Sequence, residues 1–180
     1  MTGPSLIMAH MVAFYPDLAR SRDVARGLAE GGAAYLELQF PFSDPTADGP
    51  DIQRACSAAL EAGFTVDAGF ELTAEICGSV RVPVFLMSYA NLLFTRGVKR
   101  FLAEAAACGV RGVIVPDLPA DYDEGLFREA VETGLMHSPR WLSPLALVSN
   151  RLTIKPFLWL QRSFAGGERG NGFLARARVD

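Results

Sequence analysis

Apolar and polar positions alternate between two patterns over the first three quarters of the chain. Short apolar runs without strict alternation are typical of strands buried on both faces of a parallel sheet, and they occupy residues 6–12, 34–38, 82–87 and 112–115. Between and after them, apolar residues recur at helical spacing over residues 18–29, 52–60, 70–77, 98–105 and 126–130, and glycines follow most of these segments. Strand followed by helix, four times, predicts βαβ units with right-handed crossovers.

This rhythm stops at about residue 135. Residues 1–135 contain 10 Lys and Arg against 18 Asp and Glu, a net of −8, whereas residues 136–180 contain 7 against 2, a net of +5. So sharp a change marks a boundary. We therefore predict a domain over residues 1–135 and an aberrant or irregular tail over 136–180, produced by a frameshift or an assembly error near Met136. The nucleotide sequence around codons 134–145 would test this.

Overall composition adds mainly exclusions. The 180 residues are 50% hydrophobic with a net charge of −3, which is typical of one globular domain and gives no reason to expect nucleic acid or an anionic membrane as a partner. No apolar run reaches the length of a membrane span, and the N-terminus lacks the basic start of a signal peptide, so we expect a cytoplasmic protein. Three widely spaced cysteines predict free thiols and no metal site.

Two acidic residues carry the candidate chemistry. Glu37 lies inside an otherwise apolar strand, where a carboxylate is costly unless it is paired or functional. Asp48 follows in a loop rich in proline and glycine, and in a βα barrel both would face the same cleft. Burial would raise the pKa of Glu37 and suit it to proton transfer, whereas an ionised Asp48 could hold an N–H donor. The alternative is that Glu37 pairs with a Lys or Arg and Asp48 only caps a turn.

The segment LELQFPFSDPTADGP at residues 36–50 resembles the most distinctive segment of the tryptophan synthase alpha family. Three further stretches match in order and spacing: MAHMVA at 8–13, MSYANL at 87–92 and GVIVPDLP at 112–119. The resemblance implies an α/β fold, the first four βα units of a (β/α)₈ TIM barrel. It also implies a lyase that cleaves indole-3-glycerol phosphate to indole and glyceraldehyde 3-phosphate by a retro-aldol step, with no cofactor of its own. The implied partner is a beta subunit carrying pyridoxal phosphate, in an alpha2beta2 heterotetramer.

The resemblance also implies roles for single residues. Glu37 would be the catalytic acid/base, and Asp48 would hold the indole N–H. Tyr89 would be a pocket tyrosine, Asp117 would lie near the subunit contact, and the indole ring would lie among His10, Met87 and Ile114. The alternatives are plain core roles for Tyr89, Met87 and Ile114, and a hydrogen-bonded core histidine at position 10.

Two residues depart from the family's pattern. Gln39 and Phe14 each stand where most of the family has glycine, and both are expected to put bulk near the site. Beyond residue 135 there is also no match to the family's mobile loop or phosphate-binding loops, so we expect no useful lyase activity from the chain as given. A non-catalytic remnant that still docks on a beta subunit is the alternative. A different phosphate-binding barrel is a third interpretation, against which the PFSDP and ADGP segments argue.

Overall fold

The computed structural model describes residues 7–118 and 125–135. Within them four parallel strands form one sheet in sequence order: β1 (Met8–Val12), β2 (Tyr35–Gln39), β3 (Val84–Met87) and β4 (Gly112–Ile114). The helices in the same residues are α1 (Leu18–Glu30), α2 (Pro50–Glu61), α3 (Val66–Ser79), α4 (Ala90–Arg96), α5 (Val98–Ala107) and α6 (Leu126–Glu132). The four predicted strands are confirmed to within two residues at each end. The tail boundary and the frameshift hypothesis concern residues outside the described part.

The two faces of the sheet differ in burial. Residues paired in register on parallel strands point to the same side, so the side chains alternate between the faces along each strand. One face contributes to a hydrophobic core shared with the helices, and its members are at most 2% exposed: Leu36, Leu38, Val84 and Leu86. On the opposite face several side chains are only half-buried: His10, Tyr35, Glu37, Phe85 and Ile114. We call this second face the cleft face.

Local signals account for most helix ends. Asp17 accepts the Arg20 N–H at 2.8 Å to cap α1, and Thr65 accepts the Ala68 N–H at 3.2 Å to cap α3, each worth about 1 kcal/mol. The expected glycine stops are confirmed, because the glycines at 32, 63, 109 and 134 all have a positive φ. No helix in the described part of the chain is long and apolar enough to cross a bilayer.

Helix α4 was not predicted by the hydrophobic pattern. It begins after Tyr89, and the Ala90 N–H donates to Oδ1 of Asp117 at 2.9 Å. Arg96, in its last turn, pairs with Asp67 and Glu104. Asp117, for which the resemblance implies a place near a subunit contact, therefore ties the segment after β4 to the start of the helix after β3.

Phe14 was expected to put bulk near the site, and the structure shows which side chains it packs against. Its backbone has φ 66°, the left-handed region that favours glycine. The side chain is 5% exposed, and its ring packs edge-on against Phe64 with centroids 5.4 Å apart. Phe64 also contacts Phe40, the fully buried residue after β2. The side chain of Phe14 is therefore part of a buried aromatic cluster with Phe64 and Phe40.

Candidate active site

Glu37 lies in the middle of β2 on the cleft face, and is half-buried. It makes no hydrogen bond or ion pair with any described residue, so the alternative of a Lys or Arg partner finds no support there. Burial raises the pKa of Glu37 above its ordinary value, the imidazole of His10 partly opposes the rise, and the charge of Asp48 adds to it. A carboxyl group whose proton is retained toward neutral pH can both donate and accept a proton.

Asp48 is half-buried in the loop between β2 and α2. Its Oδ2 atom accepts two side-chain hydrogen bonds, from Nε2 of Gln39 at 2.7 Å and from the hydroxyl of Tyr89 at 2.9 Å. The carboxylate accepts no backbone N–H of a described residue, and the residue before α2, Gly49, provides no side-chain cap. Asp48 is therefore not the simple turn cap of the alternative interpretation. Its Oδ1 atom has no hydrogen-bond partner among the described residues.

Tyr89 is 1% exposed, and its hydroxyl both donates and accepts a hydrogen bond. It donates to Asp48 and accepts the N–H of Ala47 at 3.0 Å, while its ring stacks on Phe42 with centroids 5.2 Å apart. Burial, with a further contribution from the charge of Asp48, raises the pKa of Tyr89 far above its ordinary value. The hydroxyl therefore remains protonated and serves as a constant donor to Asp48.

His10 is the register partner of Glu37 on the neighbouring strand, so both side chains point to the cleft face. Its Nε2 atom lies 2.7 Å from Oε1 of Gln39, as the alternative of a hydrogen-bonded core histidine expects. Gln39 is completely buried. Sequence reasoning treated Gln39 only as bulk and missed its bonds; the available signal was a polar residue at the end of an otherwise apolar strand.

Met87 and Ile114 complete the same layer of side chains. Gln39 pairs in register with Met87, and Met87 with Ile114, so all three point to the cleft face at the strands' C-terminal ends. Met87 is 4% exposed and Ile114 is half-buried. The structure thus joins Asp48 to Tyr89 directly and to His10 through Gln39, and it places the remaining candidates on the same face.

This arrangement combines a proton-transfer group with a binding group for an N–H donor. Burial raises the pKa of Glu37, whereas Asp48 accepts two hydrogen bonds at Oδ2 and none from a described residue at Oδ1. Apolar and aromatic side chains beside them suit a flat ring. Nowhere in residues 7–118 and 125–135 do three or more His, Cys, Asp or Glu side chains gather as they would around a metal ion.

Comparison with known proteins gives a consistent result. A family model described as "Tryptophan synthase alpha chain" matches residues 3–150. The tryptophan synthase alpha chain of Helicobacter hepaticus is 43% identical over 126 residues, 67% of this chain and 47% of that one. That of Acaryochloris marina is 40% identical over 133 residues, 74% of this chain and 50% of its own length.

Solved structures agree with these sequence matches. Tryptophan synthase subunit alpha from Legionella pneumophila superimposes with a TM-score of 0.69 at 31% identity, covering 72% of this chain and 50% of that one. A tryptophan synthase complex from Pyrococcus furiosus contains a chain that superimposes with a TM-score of 0.68 at 34% identity, covering 75% of this chain and 58% of that one. The predicted fold class, four βα units of a (β/α)₈ TIM barrel, is confirmed. The chain spans about half the length of the curated relatives it matches.

Proposed function

Since the chain belongs to the tryptophan synthase alpha chain family, a family of lyases, we propose that its described residues supply the proton-transfer part of one reaction. This reaction is the retro-aldol cleavage of indole-3-glycerol phosphate to indole and glyceraldehyde 3-phosphate. The observation that carries the proposal is the combination of two carboxyl groups. Glu37 has a pKa raised by burial and no hydrogen-bond partner among the described residues, and Asp48 has an Oδ1 atom to which no described residue donates.

Breaking the carbon–carbon bond requires two proton movements. The ring carbon that bears the side chain must gain a proton, and a side-chain hydroxyl must lose one as its carbon becomes the aldehyde. Glu37 is the candidate for both, because burial raises its pKa above the ordinary value and so makes its acid form easier to populate than that of an exposed carboxyl group. It would give a proton to the ring carbon and take one from the hydroxyl, so that it ends the cycle unchanged.

Asp48 would act on the other side of the ring. Protonation of the ring carbon leaves positive charge on the indole nitrogen, and a carboxylate that accepts the N–H stabilises that charge as it develops. The hydroxyl of Tyr89 fixes the other carboxylate oxygen. His10, Met87 and Ile114 would contact the faces and edge of the ring, which agrees with their position on the cleft face.

The proposal extends to a partner. A beta subunit that carries pyridoxal phosphate would receive the indole, and this chain would need no cofactor of its own. The loop over residues 41–48 would face that subunit, since it follows β2 at the same end of the sheet as the cleft. The relative from Pyrococcus furiosus was solved as a tryptophan synthase complex, which supports a partner of this kind.

The second candidate function is a non-catalytic chain that still docks on a beta subunit. It is favoured by the cleft face of the sheet, on which several side chains are only half-buried and could be covered by a partner. Copurification with a beta subunit, without indole formation, would distinguish it from the first candidate.

A chimera tests whether these residues can serve the reaction. Residues 7–135 of this chain would replace the matching half of the Helicobacter hepaticus relative, and indole formation from indole-3-glycerol phosphate would be measured beside the unaltered relative and this chain alone. The proposal expects indole from the chimera and far less from this chain. A folded chimera that forms no indole would contradict it, and a rate from this chain close to that of the relative would show that no further residues are needed.

A further inference from the structure

Gln39 connects the two halves of the candidate site. It is completely buried at the end of β2, and both ends of its amide are bonded. Nε2 donates to Oδ2 of Asp48 at 2.7 Å, and Oε1 lies 2.7 Å from Nε2 of His10. A buried polar group is stable only when its bonds are made, and here they also restrain a carboxylate and an imidazole that lie on different elements.

The carboxylate determines which way the amide points. If the amide were reversed, Oε1 would lie against Oδ2 of Asp48 at 2.7 Å, and two acceptors would face each other. With Nε2 toward Asp48, Oε1 faces His10 and can only accept. Nε2 of His10 therefore carries a proton, and in the neutral form of the ring Nδ1 carries none.

The same bond selects one oxygen of Asp48. Oδ2 already accepts from Gln39 and from the hydroxyl of Tyr89, whereas Oδ1 has no partner among the described residues. A ligand N–H would therefore be accepted by Oδ1, provided the carboxylate keeps this orientation. The Tyr89 hydroxyl and the Gln39 amide both donate to Oδ2, so a rotation of the carboxylate that moved Oδ2 away would break two hydrogen bonds rather than one.

We propose that Gln39 is a positioning residue, which orients Asp48 so that Oδ1 accepts the N–H of a bound heteroaromatic ring and which holds His10 with its proton on Nε2. The identity of the ring as an indole rests on the proposed function. The state of His10 does not, so the two can be tested apart.

The first experiment needs no ligand. The full chain is labelled with ¹⁵N-histidine, and a His137→Gln variant assigns the two histidines. We expect a slowly exchanging proton on Nε2 of His10 in the unaltered chain. The proton should be lost in Gln39→Met, in which the new side chain is similar in size. It should be retained in the control Cys56→Ala, which removes only the sulfur 3.5 Å from Nε2 of Gln39. A neutral His10 with its proton on Nδ1 would overturn the proposal. This measurement is made on the unaltered chain, so it tests the proposal even if Gln39→Met fails to fold.

The second experiment measures the orientation of Asp48. Binding of indole is compared with binding of 1-methylindole, which has no N–H. We expect the unaltered chain and Cys56→Ala to prefer indole by roughly tenfold, as for a hydrogen bond to a charged group, and Gln39→Met to lose most of that preference. An unchanged preference in a folded Gln39→Met variant would refute the positioning role. Absence of indole binding in the unaltered chain would count against the proposed function, and the His10 measurement would still stand.

Discussion

The hydroxyl of Tyr89 donates a 2.9 Å hydrogen bond to Oδ2 of Asp48, 41 residues earlier in the sequence, and accepts the N–H of Ala47 at 3.0 Å. It thus fixes both the backbone and the side chain of the loop that carries Asp48. The Tyr89→Phe variant leaves the Ala47 N–H without its acceptor, so we expect a loss of about 1–3 kcal/mol in the free energy of unfolding, measured by urea denaturation. Tyr35→Phe is the control, because the hydroxyl of Tyr35 makes no hydrogen bond among the described residues. An equal loss in both variants would contradict the role of the Tyr89 hydroxyl.

Replacement of Glu37 tests proton transfer directly. In the active chimera, Glu37→Gln preserves the shape of the side chain and removes its acid and base forms. We expect indole formation to fall by about 10²-fold or more, as for a positioned acid/base, with a small effect on the Michaelis constant. Steady-state kinetics measure both. Turnover within a few-fold of the parent chimera would sink the assignment.

Asp48→Asn in the same chimera tests the second carboxylate. An asparagine can still offer an oxygen to the indole N–H, but it has no charge to stabilise the developing positive charge, and its amide would meet the donors Gln39 and Tyr89. We expect both a lower turnover number and weaker binding, whereas Glu37→Gln affects mainly turnover. If Asp48→Asn changed neither constant, the proposed contact with the ring nitrogen would be wrong.

The stability of the chain should depend on pH through Glu37. Burial raises the pKa of this carboxyl above its ordinary 4.5, so folding favours its protonated form. That stabilisation is complete below the pKa of the unfolded chain and is lost as pH rises through the higher native pKa. Glu37→Gln removes the ionisation, and we expect it to gain stability relative to the unaltered chain between about pH 4 and pH 7. Urea denaturation at both ends of the range measures this, with the exposed Glu71→Gln as the control; a constant difference would contradict the expectation.

Phe14 offers a test of backbone strain against packing. Phe14→Gly relieves a positive φ but removes a buried ring, so we expect a net loss of about 2–3 kcal/mol in unfolding free energy. Phe14→Ala loses the same ring and keeps the strain, so it should be less stable than Phe14→Gly. Thermal and urea denaturation give the order of the three proteins. If the alanine variant were as stable as the glycine variant, the left-handed backbone would not be costly.

Much of the fold was predictable because its signals are local. The apolar runs at 82–87 and 112–115 fall on β3 and β4, and the glycine stops fall at positions of positive φ. Helix α4 was missed for a physical reason. Its first N–H is satisfied by Asp117, 27 residues further along the chain, and no local pattern records such a partner.

The candidate site was predictable residue by residue but not as a network. A carboxylate inside an otherwise apolar strand made Glu37 a candidate, and the composition of the following loop made Asp48 one. The role of Gln39 depends on His10 and Asp48, which lie 29 and 9 residues away and approach it only after the strands pair and the loop folds back. From the sequence, Gln39 could therefore be recognised only as a departure from the glycine that most of the family has at this position.

The alternation of side chains between the two faces of β2 limits which insertions and deletions the protein can tolerate. Glu37 and Gln39 point to the cleft face, whereas Leu36 and Leu38 point into the core, so neighbouring residues lie on opposite faces of the sheet. An insertion or deletion of one residue that slid the strand by a single step would bring both leucines into the cleft and bury the carboxylate among aliphatic side chains. A change in length before this strand is therefore tolerable only where the connecting loop absorbs it, because the alternation over the five residues of β2 must be kept.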